Sequence, residues 1–552
     1  MMKKIINMVY DAGVFLLLSL GILLLITAIL WIINIPITIL NLPVSLFCGI
    51  VILWLKEKKK IIGAIIIGIL VLIISIFISG QIFDQSYDGN SYHKETIGRL
   101  KNGWNPLWDD YEKFTNENKF SSEHQLWAEH YPKANWIIGS SVYILTGNIE
   151  TAKCYNILII FIGFSLFFKH LCLILKNKYI ALIISLLVCI NPVMMSQILS
   201  LYVDGFLGIL LFIIMLEMYL YINGNNNYKL YLTLSSAIIL IINVKFTGLA
   251  YAGIFCLGYY LYYLFQKISD KKFCELKKSI IYFCLTVLLG VLIAGSSSYV
   301  KNFIDHNAPL YPLIGKNKVD IITYLQPASF LKMSPLEKNY YSIFSKTANI
   351  GVFNNGEPVL KIPFTFYKDE LTQISYDTRI GGYGLLFSGI FLISLLIIII
   401  YLFKLLVQKN YKSLLLISIP MVIIIFLILL LSDGWWARYA PYLYFIVIIS
   451  ITILGYNRTK KCRLLFILYA LLIFINSVIN LAILSKNELS VSGMSKMKLE
   501  ELEGTTIELC LENNNFSGII YNLNDYNIGY EISEKNDCEL KLYGNYANYS
   551  ER

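Results

Sequence analysis

The sequence has few charged residues and no linker of biased composition. Only 15% of its 552 residues are charged and 57% are hydrophobic, against about 25% and roughly 45–50% in ordinary soluble domains. A soluble protein of this size is therefore excluded. No Gly-, Ser- or Pro-rich stretch divides the chain into globular units. Apolar residues come instead in blocks of about 20, the length that crosses a bilayer as a helix.

Cysteine and histidine patterns that mark metal sites are also missing. The ten cysteines form no C-x-x-C pair and no zinc-binding spacing, and most lie in apolar runs, where small buried side chains are expected. Two Glu-His pairs, at 123–124 and 129–130, repeat at a spacing of six, whereas metal ligands on one helix recur at three or four. No cofactor is required by these patterns. A divalent cation is the open alternative, with Asp88, His93 and His130 as its ligands.

The apolar blocks predict an all-α, polytopic membrane protein with about 13 transmembrane helices. The first block is too long for the apolar region of a signal peptide and lacks a small-residue cleavage site, so we expect it to be retained. The blocks lie near residues 12–33, 36–55, 61–80, 152–168, 178–200, 203–222, 230–245, 247–266, 279–299, 383–403, 413–432, 437–456 and 463–484.

Positive charge is concentrated in every second connection between these blocks. Because basic loops stay cytoplasmic, we expect a multi-pass protein of the cytoplasmic membrane with a cytoplasmic N-terminus and an extracytoplasmic C-terminus. The net charge of +10 then reflects topology, and no nucleic-acid partner is expected. The basic clusters are Lys3/Lys4, Lys56 to Lys60, Lys169 to Lys178, Lys229, Lys267 to Lys278, Lys404 to Lys412 and Arg458 to Arg463.

This topology divides the chain into five regions and places the large loops outside. In the first outer loop, Ala134 to Leu145 is too short to cross and predicts a helix lying in the interface. In the tail, alternating segments such as TTIELCLE and SGIIYNL predict strands, and Cys510 and Cys538 could pair in an oxidising compartment. The regions are two N-terminal helices at 1–60, a seven-helix module at 61–300 with its outer loop at 81–151, a second large outer loop at 301–382, four helices at 383–484, and a small β-rich or α/β extracytoplasmic domain at 485–552.

Polar residues are densest after the third apolar block. They occur in QIFDQSYDGNSYHKETIGRLKNGWNPLW and then in SSEHQLWAEHYPKANW, and four of the five histidines lie in outer loops. Polar side chains gathered at one face of a membrane protein, beside apolar helices, mark the default binding or catalytic site. We therefore expect a site on the outer face.

These outer-loop motifs resemble a known superfamily. An Asp just outside a helix in YDGNSYH, followed by a long loop with EHYPKANW, resembles the first outer loop of the GT-C integral-membrane glycosyltransferases. The branch it resembles is that of the protein mannosyltransferases and aminoarabinose transferases, in which D-E-x-H-Y precedes H-P-P-x-G-K. Asp88 and His93 match the first motif. His130, Pro132 and Lys133 match the second, with a tyrosine in place of one proline and no Gly-Lys after it.

The resemblance covers residues 61 to about 456 and implies a reaction. It implies transfer of a sugar from a polyprenyl-phosphate donor in the membrane lipid to a glycan, lipid or protein acceptor, with inversion at the anomeric centre. Two alternatives stay open: a polysaccharide polymerase or ligase that uses undecaprenyl-diphosphate donors, and a transporter or flippase of lipid-linked sugars. Transporters usually show inverted repeats with helix breaks at matching positions, and none is visible here.

Such chemistry needs a carboxylate that takes the acceptor's proton and cations that stabilise the departing phosphate. Asp88 is the first candidate for the base, with Asp84 one helical turn earlier and His93 close by. Arg438 heads the phosphate-binding candidates because a guanidinium can hold phosphate in bidentate fashion. The other cationic candidates are Lys245, Lys301, Arg379 and Lys133. Residues expected to line the substrate cavity are His130, Asp204, Trp104, Trp435 and Trp436.

Each candidate also has an ordinary structural explanation. Asp88 suits a helix cap, Asp433 is a nearby partner for Arg438, and Lys245 suits a lysine that extends toward the membrane surface. Glu217, embedded in the apolar run LFIIMLEMYL, is a functional candidate by its position alone.

Overall fold

The computed structural model describes residues 2–111, 122–320, 322–349, 357–457, 459–511, 516–533, 538–543 and 547–551. The described chain is mostly helical, with a small four-stranded sheet near its C-terminus. Nine helices in this part of the chain are long and apolar enough to cross a membrane. The prediction of a helical membrane protein with a β-containing C-terminal part is therefore confirmed. Three shorter apolar helices accompany the nine: Lys178–Cys189, Tyr228–Val244 and Pro441–Tyr456.

The N-terminal half includes the helices of the loop at 81–151, which is the first predicted outer loop. The helices of this half are α1 (Met2–Ile32), α2 (Asn41–Glu57), α3 (Ile62–Gly80), α4 (Lys94–Lys101), α5 (Ser122–His130), α6 (Ala134–Thr146), α7 (Tyr155–Leu175), α8 (Lys178–Cys189), α9 (Pro192–Gln197), α10 (Asp204–Ile222), α11 (Tyr228–Val244), α12 (Phe246–Ser269) and α13 (Phe273–Leu288).

The C-terminal half contains the second outer loop, four apolar helices and the sheet. Its helices are α14 (Lys301–His306), α15 (Pro335–Phe344), α16 (Lys368–Leu371), α17 (Phe387–Val407), α18 (Tyr411–Leu430), α19 (Tyr444–Tyr456), α20 (Lys460–Glu501) and α21 (Ile519–Asp525). Its strands are β1 (Thr506–Leu511), β2 (Gly529–Ile532), β3 (Leu540–Tyr543) and β4 (Ala547–Glu551).

Helix α1 lies inside the bundle rather than at its edge. It packs against α2, α3, α7 and α11, and most of its residues from Tyr10 to Leu24 are buried. Small residues permit this close approach: a Cβ added at Gly13 would lie 1.7 Å from Oγ of Ser165 on α7. Helix α1 is therefore an integral part of the core.

Helix α6 forms where the sequence predicts a helix in the interface, but protein surrounds it. All ten residues from Ala134 to Tyr143 are buried, in contact with α4 and with the 3-10 turn Ile149–Cys154. A helix lying flat in the interface would expose one face. The helix is thus a core element of the outer loop, and the expected interfacial position is wrong.

The C-terminal part is a small α/β unit that follows a long helix. Helix α20 continues to Glu501, well past the boundary expected at residue 484. The strand order is β2-β1-β4-β3, with β1 parallel to β2 and the other pairs antiparallel, so α21 forms the crossover that a parallel pair requires. Cys510 and Cys538 form a disulfide, as the sequence suggested.

This unit packs directly on the first outer loop. The carboxylate of Asp525 accepts hydrogen bonds from the Tyr143 hydroxyl at 2.5 Å and from the Ile149 backbone N–H at 2.7 Å. The backbone N–H of Gly518 donates to the carbonyl of Asn90 at 2.9 Å. The C-terminal unit therefore holds the segment that follows Asp88.

Candidate functional site

One cavity of about 630 Å³ brings together residues from distant parts of the sequence. Its walls come from the segment after α3, from α5, from the start of α12 and from the segments before α17 and α19. The lining includes Asp88, Tyr92, His124, Tyr131, Tyr202, Lys245, Tyr376, Asp377, Arg379, Trp436, Arg438 and Tyr439. Such a mixture of aromatic rings and a few converging charges is typical of ligand sites.

Asp88 is positioned by the turn that starts the first outer loop. It directly precedes a single π-helical turn, Gly89–His93, and π-turns are frequent at functional sites. The preceding residue, Tyr87, packs edge-on against Phe516 of the C-terminal unit. The Asp88 side chain is 17% exposed, and its Oδ2 accepts a hydrogen bond from Arg438 Nη1 at 3.1 Å.

Arg438 is the centre of the charged cluster. It lies in a short 3-10 turn, Ala437–Tyr439, between α18 and α19. Besides Asp88, its guanidinium contacts Asp377 at 3.0 Å and Asp204 at 3.5 Å, so these three carboxylates, and not Asp433, are its partners. The rings of Tyr202, Trp436 and Tyr439 lie 4.6–5.0 Å from its central carbon, where cation–π attraction stabilises its position.

Lys245 and Arg379 complete the cationic side of the cluster. Lys245 has an extended backbone that separates α11 from α12, which directs its side chain toward Asp204 at 2.8 Å. Arg379 pairs with Asp377, also at 2.8 Å. Two of the cations proposed from sequence therefore share carboxylates with Arg438.

The charges of the described residues in this cluster balance, but one hydrogen-bond donor among them has no acceptor. Among the described residues it contains three carboxylates and three cations. The buried Nε–H of Arg438 has no hydrogen-bond acceptor in the described part of the chain. A buried donor without an acceptor costs about 1–3 kcal/mol. The guanidinium is therefore able to donate to an anionic oxygen that enters the cavity.

His93 lines a small neighbouring recess together with Asp88, Asp204 and Arg438. Its Nδ1 accepts a hydrogen bond from Trp136 Nε1 at 2.6 Å, which places the ring proton on Nε2. Burial lowers the pKa of His93 to about 3. The imidazole is therefore neutral at physiological pH and can donate through Nε2 but not accept a proton at Nδ1.

The structure separates Asp84 from Asp88. Asp84 is fully buried, and its carboxylate accepts the backbone N–H groups of Ser86 and Leu201, both at 2.8 Å. Burial also raises the pKa of Asp84. The backbone turns between the two residues, so they do not share a helix face, and Asp84 supports the loop structure.

Several other sequence candidates lie outside the cavity. Lys133 is buried and donates to the carbonyls of Glu129 and Tyr131, and burial lowers its pKa well below the usual value. Lys301 donates to the carbonyl of Pro106 at 2.8 Å. These two cations bind backbone oxygens and are not among the cavity-lining residues.

Three of the expected substrate-lining residues also pack elsewhere. His130 bonds through Nδ1 to Asn302 Oδ1 at 2.8 Å. Trp104 is buried edge-on against Tyr111, and Trp435 lies behind Trp436, with ring centroids 5.3 Å apart. Of the five residues expected there, Asp204 and Trp436 reach the cavity or its recess.

Sequence reasoning missed Asp377 and the tyrosines of the cavity. Asp377 contacts both Arg438 and Arg379. The signal in the sequence was the D-x-R spacing shortly before the start of α17. Tyr92, Tyr131 and Tyr202 line the cavity, but with 40 tyrosines in the chain no local pattern distinguishes them.

The residues named for a divalent cation do not form a cluster. Within the described ranges, no three His, Cys, Asp or Glu side chains lie close enough together to hold a metal ion. His93 faces Trp136, and His130 faces Asn302. Metal dependence stays a prediction from the sequence.

Comparison with known proteins adds no assignment to this geometry. No protein-family model, no curated protein and no solved structure matches the chain. Function is therefore inferred from the cavity and its charges.

Proposed function

We propose that the protein is a membrane glycosyltransferase of the GT-C type that moves a sugar from a polyprenyl phosphate to an acceptor on the outer face of the cytoplasmic membrane. The observation that carries the proposal is the contact between Asp88 and Arg438 in a cavity of about 630 Å³. A carboxylate and cations from distant outer loops meet there, as the transfer of a sugar from a phosphate requires.

Arg438 and Lys245 are the proposed phosphate-binding groups. Arg438 has an Nε–H without an acceptor in the described chain. Lys245 pairs with Asp204, which also contacts Arg438. A donor phosphate that binds Arg438 competes with the carboxylates that now surround it. Asp204 also pairs with Lys245 and Asp377 with Arg379, whereas Arg438 is the one cation paired with Asp88 among the described residues. Asp88 is therefore the carboxylate that we expect the phosphate to displace.

Asp88 is the proposed general base. In the reaction, an acceptor oxygen attacks the anomeric carbon, the bond from that carbon to the phosphate oxygen breaks, and the phosphate leaves with the electron pair. Asp88 takes the acceptor's proton, while Arg438 and Lys245 stabilise the charge that develops on the phosphate. Direct displacement of this kind inverts the anomeric centre.

The proposal includes thirteen membrane crossings with the site outside. The long apolar segment Asn41–Gly80 is broken by the 3-10 turn Lys58–Ile61 between α2 and α3. The two halves have 17 and 19 residues, within the range of about 17–25 that crosses a bilayer. With the three shorter apolar helices, this break supports a count of thirteen. The disulfide in the C-terminal unit fits an oxidising compartment.

The proposal is tested with purified protein and a panel of radiolabelled polyprenyl-phosphate sugars. Envelope lipids and glycans serve as acceptors, and labelled product is measured. Asp88→Asn should fold normally and lose product formation by about 100-fold or more, since general-base catalysis contributes about 10²–10⁴. Asp369→Asn is the matched control, because that carboxylate is 66% exposed in the second outer loop.

Three results would count against the proposal. Equal product formation by wild type and Asp88→Asn would remove Asp88 from the mechanism. Activity only with undecaprenyl-diphosphate sugars would indicate a polymerase or ligase. Movement of the labelled lipid across the membrane of proteoliposomes without product would indicate a flippase.

A further inference from the structure

A second and larger cavity lies at the opposite end of the helical bundle from Asp88. Its volume is about 1150 Å³. It is enclosed by the start of α1, the turn between α2 and α3, the end of α7 and the turn between α10 and α11. Helix α10 runs from Asp204 at the first site to Leu220 at the second cavity, and its 19 residues span about 28 Å. The two sites are therefore separate.

Positive charge dominates this cavity. Its two carboxylates, Asp11 and Glu57, both pair with Lys229, at 2.8 and 2.9 Å. Among the described residues, none of the other four lysines has a carboxylate at ion-pair distance, although Lys169 donates to the side-chain oxygen of Asn7 at 2.7 Å. These four lysines are Lys4, Lys59, Lys60 and Lys169.

The lysines come from separate connections of the chain. Four of the seven basic clusters in the sequence contribute to this one cavity. Loop lysines that only set topology need not converge. A cleft lined by charge of one sign concentrates ions of the opposite sign, so convergence favours an anionic occupant.

Buried polar groups form the floor of the cavity. His170 is 3% exposed, and Tyr10 is 5% exposed. Neither ring nitrogen of His170 nor the Tyr10 hydroxyl has a hydrogen-bond partner within the described residues, although His170 Nε2 lies 3.8 Å from Glu217 Oε1. The Tyr10 hydroxyl and the one N–H of a neutral His170 ring are buried donors without acceptors among the described residues, and such donors are costly. They are a second, independent indication of a ligand with acceptor oxygens.

An apolar groove of about 330 Å³ continues from this cavity. Asn7, Lys169 and Leu173 line both. The groove adds Met2, Ile6 and Cys172, with Lys3 and Lys178 also at its walls. A groove with apolar walls that opens from a basic cavity suits acyl chains attached to an anionic headgroup.

We propose that the cavity binds the phosphate headgroup of an anionic lipid, with its chains in the groove. The lysines contact the phosphate, and His170 with Tyr10 donate to headgroup oxygens. The inference goes beyond the sugar-transfer reaction and does not depend on it, because no residue of the Asp88 cluster takes part.

The test uses delipidated protein in a non-ionic detergent. Binding of dioctanoyl phosphatidic acid, dioctanoyl phosphatidylcholine and inorganic phosphate is measured by native mass spectrometry and calorimetry. The variant Lys59→Gln/Lys60→Gln should bind phosphatidic acid about tenfold more weakly or worse, since each lysine near a headgroup contributes appreciably. Both lysines are exposed, so folding is preserved.

Lys277→Gln/Lys278→Gln is the matched control, because these lysines are exposed at the start of α13 and do not line the cavity. It should keep wild-type affinity. If inorganic phosphate displaces the lipid, the cavity recognises the phosphate group alone. If it does not, the acyl chains in the groove add to the affinity. Equal affinity of both double variants for phosphatidic acid, or equally tight binding of phosphatidylcholine by wild type, overturns the proposal.

Discussion

Arg438 shows how one residue organises a site that local sequence could only indicate. The motif DGWWARYAP places it between two apolar blocks, where a cation needs an anionic partner. The sequence suggested Asp433 because it is near. The structure supplies Asp88, Asp204 and Asp377 instead, and only the packing of distant loops decides between near and distant partners.

Replacing Arg438 by lysine tests whether the shape of the cation matters. Lysine keeps the charge but cannot contact several oxygens in one plane. If Arg438 binds the donor phosphate, Arg438→Lys should lower kcat/KM for transfer by about 10–100-fold, or roughly 1.4–2.7 kcal/mol. Arg463→Lys, at an exposed position of α20, is the control. Unchanged kcat/KM in Arg438→Lys would assign phosphate binding to another residue.

Burial of His93 predicts a pH dependence of stability. The pKa of His93 is about 3 in the folded protein, against a usual 6.5. As the pH falls below about 6.5, the unfolded state binds a proton that the folded state does not. The free energy of unfolding therefore keeps its full His93 contribution above that pH. It declines toward pH 3, by up to about 1.4 kcal/mol per pH unit. The melting temperature of wild type should therefore fall more steeply between pH 6.5 and 4.5 than that of His93→Gln.

The control for this experiment is His306→Gln, whose ring belongs to an exposed residue. This variant keeps His93 and should therefore keep the fall in melting temperature below pH 6.5. Parallel slopes for wild type and His93→Gln would mean that His93 is not buried as a neutral ring.

Where the first outer loop meets the C-terminal unit, a buried carboxylate binds two buried lysines. The Glu150 carboxylate accepts hydrogen bonds from Lys94 Nζ at 2.6 Å and from Lys153 Nζ at 2.5 Å. It also accepts the side-chain amide of Asn522, from α21, and the backbone N–H of Asp84, both at 2.9 Å. One carboxylate thus joins the loop that carries Asp88 to the C-terminal unit.

Glu150→Gln should destabilise the protein strongly. It leaves two buried lysines without their shared carboxylate, and breaking a buried ion pair from one side costs about 3–5 kcal/mol. The measurement is the melting temperature together with the rate of proteolysis of the C-terminal unit. Glu500→Gln removes only an exposed pair with Lys496 and should change neither. Equal melting of Glu150→Gln and wild type would contradict the proposed link.

Helix α20 explains why the C-terminal boundary was placed too early. Beyond residue 484 the apolar block ends, so hydropathy no longer indicates a helix. The continuing pattern is a stripe at helical spacing, Glu488, Ser492, Ser495 and Leu499, all buried. Ser492 accepts the backbone N–H of Phe83 at 2.8 Å. Polar residues that face protein instead of lipid carry no hydropathy signal.

At the scale of the whole molecule, the sequence indicated most of the membrane-spanning helices and few of the contacts between loops. Long apolar blocks are a strong signal because every backbone polar group must be satisfied inside a bilayer. Contacts such as Arg438 with Asp377 depend on how loops pack, and no local period encodes them. For the same reason Asp88 could be proposed from its neighbours, whereas Asp377 and Tyr202 could not.

The proposed orientation predicts which side of the membrane each loop faces. Cys274, which is exposed, should be cytoplasmic, and a cysteine introduced as Glu503→Cys, before β1, should be outside. In variants with one free cysteine and the Cys510–Cys538 disulfide kept, an impermeant maleimide should label Glu503→Cys on intact cells. It should label Cys274 only after permeabilisation. The reverse pattern would place the Asp88 cavity on the cytoplasmic side.

The most direct test is a cryo-electron microscopy structure of the protein with a bound polyprenyl-phosphate sugar. We expect the phosphate within about 4 Å of the Arg438 guanidinium and of Lys245 Nζ, the ion-pair range, with Asp88 released from Arg438 and turned toward the sugar. Donor density in another part of the protein, with the contact between Asp88 and Arg438 intact, would contradict a sugar-transfer site at this cavity.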